Sequence, residues 1–273
     1  MTSREAYLKT RARLAGVTSE AAFEARLIIA AVTGGEPARA ALSERELSEK
    51  DLELIEKMTE RRLRREPLQY ILGEWSFMGL DFFVTPAALI PRQDTELICE
   101  TALRLIREKG YGSALDICTG TGCIAIAIKK LAGREIAVEA ADISAEALEL
   151  ARRNAEKNEA EIFFRQADLF EGAGEYDLIT ANPPYVSSAD MQALQPELAF
   201  EPRLALYGGE DGLDIYRRIA KEYGPHLKSG GALLMEVGAG EAEAVSALFE
   251  GARTRIIKDL NGIERVVEII KNA

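Results

Sequence analysis

The chain has 273 residues, 47% of them hydrophobic, and its 45 acidic and 34 basic side chains give a net charge of −11. This acidity argues against a protein that binds nucleic acid unaided, because such proteins use clustered positive charge. One histidine and three cysteines exclude a two-histidine metal site and a disulfide framework. No apolar stretch approaches the length of a membrane helix, so we expect a cytoplasmic protein.

The first 72 residues have the pattern of a small helical domain. Two capping boxes, Thr2-x-x-Glu5 and Ser48-x-x-Asp51, predict the starts of helices. This part is close to neutral, with 13 basic and 12 acidic residues. We interpret the basic run Arg61–Arg65 as a solvated helix face, with contact to a partner molecule as the alternative.

A different pattern begins at residue 73. Apolar residues flank Met78-Gly79, which predicts a hairpin linker over 73–92. Residues 93–273 then alternate strands and helices, which is typical of a mostly parallel sheet with helices on both faces. Residues 73–273 hold 21 basic and 33 acidic side chains. We therefore predict an α/β, Rossmann-like domain behind an N-terminal helical domain.

Polar residues stand where the predicted parallel strands end. Asp116 precedes the turn Cys118–Gly122, and Asp142, Asp168 and Asn182 stand at the ends of later strands. Ligands of such sheets bind outside the carboxyl ends of the strands. We therefore expect these residues to meet at one edge of the sheet.

The turn Cys118–Gly122 is a candidate nucleotide-type loop. Gly120 and Gly122 permit a tight turn and close backbone approach, and the following helix offers free N–H groups at its start. Asp142 lies 20 residues after Gly122, where an acid accepts hydrogen bonds from ribose hydroxyls. The loop alone leaves NAD, FAD and S-adenosylmethionine open as ligands, and a turn needed only for packing is a further alternative.

Asn182-Pro183-Pro184-Tyr185 is the most informative stretch. The prolines stiffen the backbone and donate no N–H, which leaves their carbonyls as outward-facing acceptors. We expect the Asn182 amide oxygen and the Pro183 carbonyl to accept the two hydrogens of a planar –NH2 group, with Tyr185 stacked on its plane. Holding this weakly nucleophilic nitrogen in line with an electrophilic methyl group would promote transfer. A rigid turn that serves stability alone is the alternative.

These motifs resemble those of class I methyltransferases acting on the amino groups of adenine, cytosine or glutamine. Further segments resemble, over nearly the whole chain, the HemK-like (PrmC) release factor glutamine methyltransferases. The matching segments are Pro67–Glu74, Leu89–Glu96, Phe200–Arg203, Gly208–Leu213 and Asp259–Val266. The resemblance implies methyl transfer from S-adenosyl-L-methionine to the side-chain amide nitrogen of the glutamine in the Gly-Gly-Gln motif of class 1 peptide chain release factors.

The resemblance also implies roles for particular residues. Asn182, Pro183 and Tyr185 would act in catalysis, and together with Pro184 they would bind the glutamine. The implied cofactor-binding residues are Asp116, Cys118, Thr119, Gly120, Thr121, Gly122, Asp142, Asp168, Leu169 and Asn182. No metal, membrane or direct nucleic-acid substrate is expected.

Three positions depart from the family pattern. Gln93 replaces a proline, Cys118 replaces the first glycine of the turn, and Val237-Gly238 stands where His-Gly is frequent. The turn must therefore tolerate the Cβ of Cys118, and we expect the loop around Gln93 to be less rigid.

Three alternatives to a release factor methyltransferase remain open. The substrate glutamine could belong to a ribosomal protein, or the target could be adenine in a nucleic acid. The acidic charge of residues 73–273 disfavours adenine, because flipping a base into a site calls for a basic channel. A binder of release factors without catalytic activity is the third, and the intact Asn182–Tyr185 motif disfavours it.

Overall fold

The computed structural model describes residues 1–272, and its chain forms two compact units. One unit comprises Met1–Gly73 and Gln195–Phe200. The other comprises Glu74–Leu194 and the described residues from Glu201 onward. Nowhere in residues 1–272 is a helix both long and apolar enough to cross a bilayer.

The first unit is helical. Its helices are α1 (Ser3–Leu14), α2 (Ala21–Thr33), α3 (Pro37–Ala40), α4 (Glu49–Leu63) and α5 (Leu68–Leu72). Both predicted capping boxes are present, at the starts of α1 and α4. Apolar residues from these helices, among them Leu14, Ile28 and Ile55, form a common buried core. The helices therefore gain their stability mainly by burying their apolar faces against one another.

The arginines at the end of α4 make internal ion pairs. Arg62 is 4% exposed, and its guanidinium bonds Glu24 at 2.7 Å and Glu197 at 3.0 Å. Arg65 reaches the other carboxylate oxygen of Glu197 at 2.9 Å. The interpretation of Arg61–Arg65 as a solvated face is therefore wrong for these arginines, because their acidic partners come from distant parts of the chain.

The second unit begins with an antiparallel hairpin and continues into a large sheet. The hairpin strands are β1 (Glu74–Phe77) and β2 (Leu80–Phe83). The sheet strands are β3 (Ser113–Ile117), β4 (Ala137–Asp142), β5 (Phe163–Gln166), β6 (Tyr176–Ala181), β7 (Leu227–Glu236), β8 (Arg253–Lys258) and β9 (Glu264–Ile270). In the described chain their order is β5-β4-β3-β6-β7-β9-β8, parallel from β5 to β7 and antiparallel at β9.

Helices cover both faces of this sheet. The helices of this unit are α6 (Glu96–Lys109), α7 (Cys123–Leu131), α8 (Ala145–Lys157), α9 (Arg203–Leu206), α10 (Asp214–Glu222) and α11 (Ala242–Ala247). Neighbouring strand residues alternate between two cores: Leu178 packs with residues of α6 and α7, and Ile179 with residues of α10 and α11. The predicted α/β fold is confirmed.

The strand register brings the predicted polar residues to one edge. Ile117 at the end of β3 lies opposite Ala141 of β4 and Ala181 of β6. The turn after β3, Asp142 and Asn182 therefore all leave the sheet at the same level, as predicted.

Candidate active site

A cavity of about 400 Å³ lies at the carboxyl ends of β3, β4 and β6. Its volume is in the range of small-molecule and cofactor sites. Predicted site residues on its wall are Cys118, Thr119, Gly120, Thr121, Asp142, Asp168, Leu169, Asn182 and Pro184. Four predicted residues, Asp116, Gly122, Pro183 and Tyr185, do not line it.

The turn after β3 has the backbone conformation that its glycines suggest. Gly120 and Gly122 have φ values of +55° and +80°, and Cys118 adopts +56° despite its Cβ. A Cβ on Gly122 would lie 3.2 Å from side-chain atoms of both Ala151 and Ile126. Gly122 therefore serves the close packing of α7 and α8, and Gly120 lies on the cavity wall itself.

The carboxylate of Asp142 ties this turn to the next helix. One oxygen accepts from the Gly120 N–H and the other from the Ser144 N–H, each at 2.9 Å. Ser144 in turn caps α8, because its side chain accepts from the Ala147 N–H. Burial raises the pKa of Asp142 above its ordinary value, against the opposing effect of these backbone hydrogen bonds. The predicted contact of Asp142 with ribose hydroxyls stays a prediction.

Asp116 lies beneath the turn instead of on the cavity wall. It is 1% exposed and accepts hydrogen bonds from the hydroxyls of Thr119 at 2.5 Å and Thr180 at 2.7 Å. Burial raises its pKa to about 7. The side chain thus holds Thr119 in place, and any direct cofactor contact of Asp116 stays a prediction.

The segment after β5 supplies another part of the wall. Asp168 pairs with Arg218 of α10 at 3.0 Å, and both line the cavity. Leu169 has a φ of +52°, a conformation that costs energy for a branched side chain. Backbone strain of this kind is concentrated at ligand sites. Cys118 and Leu169 are two residues with positive φ on this cavity wall.

Asn182 is the residue on the cavity wall that we expect to bind the –NH2 group of the substrate. Its Nδ2 donates to the Thr95 hydroxyl at 3.3 Å. Its Oδ1 accepts no hydrogen bond from residues 1–272 and is not buried, so it is free to accept one from a ligand. Pro184 lines the cavity, whereas Pro183 is buried behind it.

Tyr185 packs partly against the core between the sheet and α10. Burial raises the pKa of its phenol to about 12. The ring is not on the cavity wall in this structure, so its predicted stacking on the substrate amide stays a prediction.

The loop 86–92 is a part of the wall whose support the sequence did not reveal. Buried Glu201 accepts from the Ile90 N–H at 3.1 Å and forms an ion pair with Arg92. Burial raises the pKa of Glu201 even with Arg92 beside it. An acidic residue in the segment Phe200–Arg203 was the available signal, but its partner lies 109 residues away.

Glu236 is a second residue that sequence reasoning missed. It ends the apolar strand β7, is 3% exposed, and its Oε2 has no hydrogen-bond partner in the described residues. Burial raises its pKa to about 7, while hydrogen bonding from the side chains of Thr95 and Asn182 opposes the shift. The available signal in the sequence was an acidic residue at the end of an apolar strand, a pattern that Asp116 shares.

Comparison with known proteins identifies the family. Residues 5–73 match the PrmC N-terminal domain, and residues 95–200 match the methyltransferase small domain. A Geobacter sulfurreducens protein named "Release factor glutamine methyltransferase" is 46% identical over 229 residues, which cover 81% of this chain and 79% of that protein. The chain belongs to the release factor glutamine methyltransferase family. A Streptococcus pneumoniae member is 38% identical over 84% of either chain.

A solved structure shares the fold of this family member. A methyltransferase from Pyrococcus furiosus superposes with a TM-score of 0.54, covering 72% of this chain and 92% of that one at 20% identity. The predicted family and the predicted methyltransferase fold are both confirmed.

The methyl donor of this methyltransferase fold is S-adenosyl-L-methionine, and the cavity fits it. Backbone and hydroxyl groups of the glycine turn and the carboxylate of Asp142 offer polar contacts for a nucleoside. Ile143 and Leu169 offer an apolar surface for its base. The acidic side chains on the wall suit a donor that carries a positive sulfonium.

Proposed function

We propose that this protein transfers a methyl group from S-adenosyl-L-methionine to the side-chain amide nitrogen of a glutamine. The proposed substrate is a class 1 peptide chain release factor, and the proposed target is the glutamine of its Gly-Gly-Gln motif. The names of relatives such as the Geobacter sulfurreducens protein support this substrate class. A cytoplasmic location belongs to the same proposal.

One geometric observation supports the proposal. The glycine turn Cys118–Thr121 and Asn182, whose Oδ1 accepts no hydrogen bond from residues 1–272, line the same cavity. An amide acceptor and a nucleotide-type loop in one cavity suit a reaction that joins an –NH2 group to a nucleoside-borne methyl group.

The chain's own residues would act by holding the substrate nitrogen. The Oδ1 of Asn182 and the carbonyl of Pro183 would accept its two hydrogens. An amide nitrogen is a weak nucleophile because its lone pair is delocalised, and two acceptors favour the geometry in which that pair becomes available. Positioning of this kind contributes a large part of the rate enhancement when the reacting atoms are held in line.

When bound, the donor supplies an electrophilic methyl group. Asp116 and Asp142 lie below and beside the turn that would hold it, and both have raised pKa values because they are buried. A cation bound next to these carboxyls favours their ionised forms. The site therefore gains electrostatic stabilisation when the positively charged donor enters.

Two other substrates share this chemistry. A glutamine in a ribosomal protein would bind the same acceptors, and adenine in a nucleic acid presents a similar –NH2 group. The surplus of 33 acidic over 21 basic residues from 73 to 273 disfavours nucleic acid, which calls for a basic channel.

A labelled-methyl assay compares the three substrates side by side. Purified protein and labelled donor are incubated separately with a release factor, ribosomal protein and DNA. We expect label on the release factor alone. Label on ribosomal protein or DNA with none on the release factor would overturn the proposal.

A further inference from the structure

Asn182 can serve as an acceptor only if its amide is held the right way round. An asparagine side chain carries a donor –NH2 and an acceptor oxygen of nearly equal size, so it fits a site in two orientations. If the amide were flipped, its –NH2 would face the –NH2 of the substrate, and no hydrogen bond would form. The neighbours of Asn182 must therefore select one orientation.

The Thr95 hydroxyl is the first of these neighbours. It is 2% exposed and accepts from the Nδ2 of Asn182 at 3.3 Å. A hydroxyl has one hydrogen to donate, and here that hydrogen remains available for a further acceptor.

Glu236 is placed to supply that acceptor. Ala181 of β6 pairs with Met235 of β7, so the residues that follow them, Asn182 and Glu236, lie side by side at the ends of these neighbouring strands. The Glu236 carboxyl is 3% exposed, and the side chains of Thr95 and Asn182 lower its pKa against the effect of burial. An ionised carboxylate can only accept, so it orients the Thr95 hydroxyl toward itself and disfavours any arrangement that brings the Asn182 oxygen against it. The amide nitrogen is left facing Thr95 and Glu236, and the oxygen faces away.

Glu236 forms no ion pair with the described residues. Arg265 lowers the pKa of Glu236, but it pairs with Asp94 at 2.8 Å and lies 3.4 Å from Asp259. Oε2 of Glu236 has no hydrogen-bond partner in the described chain. A buried carboxyl arranged in this way costs stability instead of adding to it, which points to a role in the site.

We propose that Glu236 and Thr95 are positioning residues that fix the Asn182 amide with its oxygen toward the substrate glutamine. The inference rests on the proposed function, in which Asn182 receives the substrate amide. Neither residue need touch the substrate, because both act through the orientation of Asn182.

Isosteric variants test the proposal. Glu236→Gln keeps the shape but can donate as well as accept, so it no longer imposes a direction on the chain of hydrogen bonds. Thr95→Val removes the hydroxyl, and Thr95→Ser keeps it. For Glu236→Gln and Thr95→Val we expect kcat for release factor methylation to fall by about ten- to a hundredfold. We expect donor affinity to stay near wild type and Thr95→Ser to retain most of the activity.

Thermal unfolding and a double variant separate positioning from support of the fold. Glu236→Gln should unfold at pH 8 no lower than wild type, since it removes a buried charge. The double variant with Glu236→Gln and Thr95→Val should have a kcat only slightly below that of the slower single variant, because both substitutions interrupt the same chain of hydrogen bonds. Glu250→Gln, at an exposed position, is the control and should leave kcat unchanged.

The outcomes distinguish this inference from the proposed function. A wild-type protein that labels no release factor contradicts the proposed function. A wild-type protein that labels it, with variants Glu236→Gln and Thr95→Val equally fast, overturns the positioning roles. Equal losses in Thr95→Val and Thr95→Ser, or a loss of kcat in step with a lowered unfolding temperature, would also overturn them.

Discussion

The Arg62 cluster of the helical unit and two carboxyls at strand ends of the sheet unit bury charge in opposite ways. In the helical unit, Arg62 bonds the carboxylates of Glu24 and Glu197, so the buried cation has anionic partners. In the sheet unit, Asp116 and Glu236 form no ion pair among the described residues, and burial raises the pKa of each to about 7.

This difference separates structural from functional use of a buried charge. A partner of opposite charge offsets part of the cost of burying a charge, and the pair holds distant chain segments together. An unpaired buried carboxyl lowers stability when it ionises. Asp116 and Glu236 stand at the ends of β3 and β7, below the turn and beside Asn182, where an ionised group can serve a ligand.

Removing the cation should break the paired cluster. Arg62→Ala leaves buried Glu24 without its partner and leaves Glu197 with Arg65 alone, and we expect the free energy of unfolding to fall by about 3 to 5 kcal/mol. Denaturant unfolding followed by circular dichroism measures this change. Arg64→Ala, two residues further at an exposed position, is the control and should change stability by less than about 0.5 kcal/mol. Equal effects of the two substitutions would show that the pairing at Arg62 contributes nothing.

Removing the acceptor should stop the reaction while leaving the fold intact. Asn182→Ala deletes the amide proposed to bind the substrate, and we expect kcat to fall by about a hundred- to a thousandfold. Calorimetric binding of the donor should remain mostly intact, apart from any contact that Asn182 makes itself. Asn272→Ala, an exposed asparagine, is the control. Near wild-type turnover of the Asn182 variant would refute its assignment.

The free energy of unfolding should depend on pH because the buried carboxyl of Glu236 has no ion-pair partner among the described residues. The pKa of Glu236 is raised to about 7 in the folded protein, so folding favours its protonated form. The contribution of Glu236 to the free energy of unfolding is therefore fully present below the ordinary glutamate pKa, and it is lost as the pH rises through about 7.

Glu236→Gln removes this loss. We expect its gain in unfolding free energy over wild type to grow from pH 5.5 to about pH 8 and to reach about 2 to 3 kcal/mol. Glu250→Gln should show no such trend. A gain independent of pH, or a destabilisation at pH 8, would mean that Glu236 is not a buried, unpaired carboxyl.

The hydroxyls around Asp116 should have a smaller effect. Thr180→Val removes one of the two hydroxyls that the carboxyl accepts from, and we expect a loss of about 1 to 3 kcal/mol. Thr180→Ser keeps the hydroxyl and should lose less. Denaturant unfolding compares the two, and equal losses would attribute the effect to packing of the threonine methyl group instead.

Short-range features of this protein could be predicted from its sequence. The capping boxes and the Ser144 cap depend on residues three positions apart. The glycine turn, Asp142 and Asn182 could be placed at one edge because parallel strands end together. Local chemistry and one topological rule thus sufficed for the part of the cavity wall that the strand ends supply.

Long-range pairs could not be predicted in this way. Arg62 meets Glu197 across 135 residues, and Asn182 meets Thr95 across 87. A sequence pattern shows a basic run or an isolated acid, but it does not show which distant partner folds against it. For this reason the interpretation of Arg62 and Arg65 as part of a solvated face was wrong, and Thr95 and Glu236 were missed.

Locating the transferred methyl group tests the central claim most directly. A release factor incubated with this protein and its donor is digested, and fragmentation mass spectrometry assigns the modified atom. We predict one methyl group on the side-chain amide nitrogen of the Gly-Gly-Gln glutamine, and none when that glutamine is replaced by glutamate. A methyl group on another residue, or an unmodified release factor, would contradict the claim.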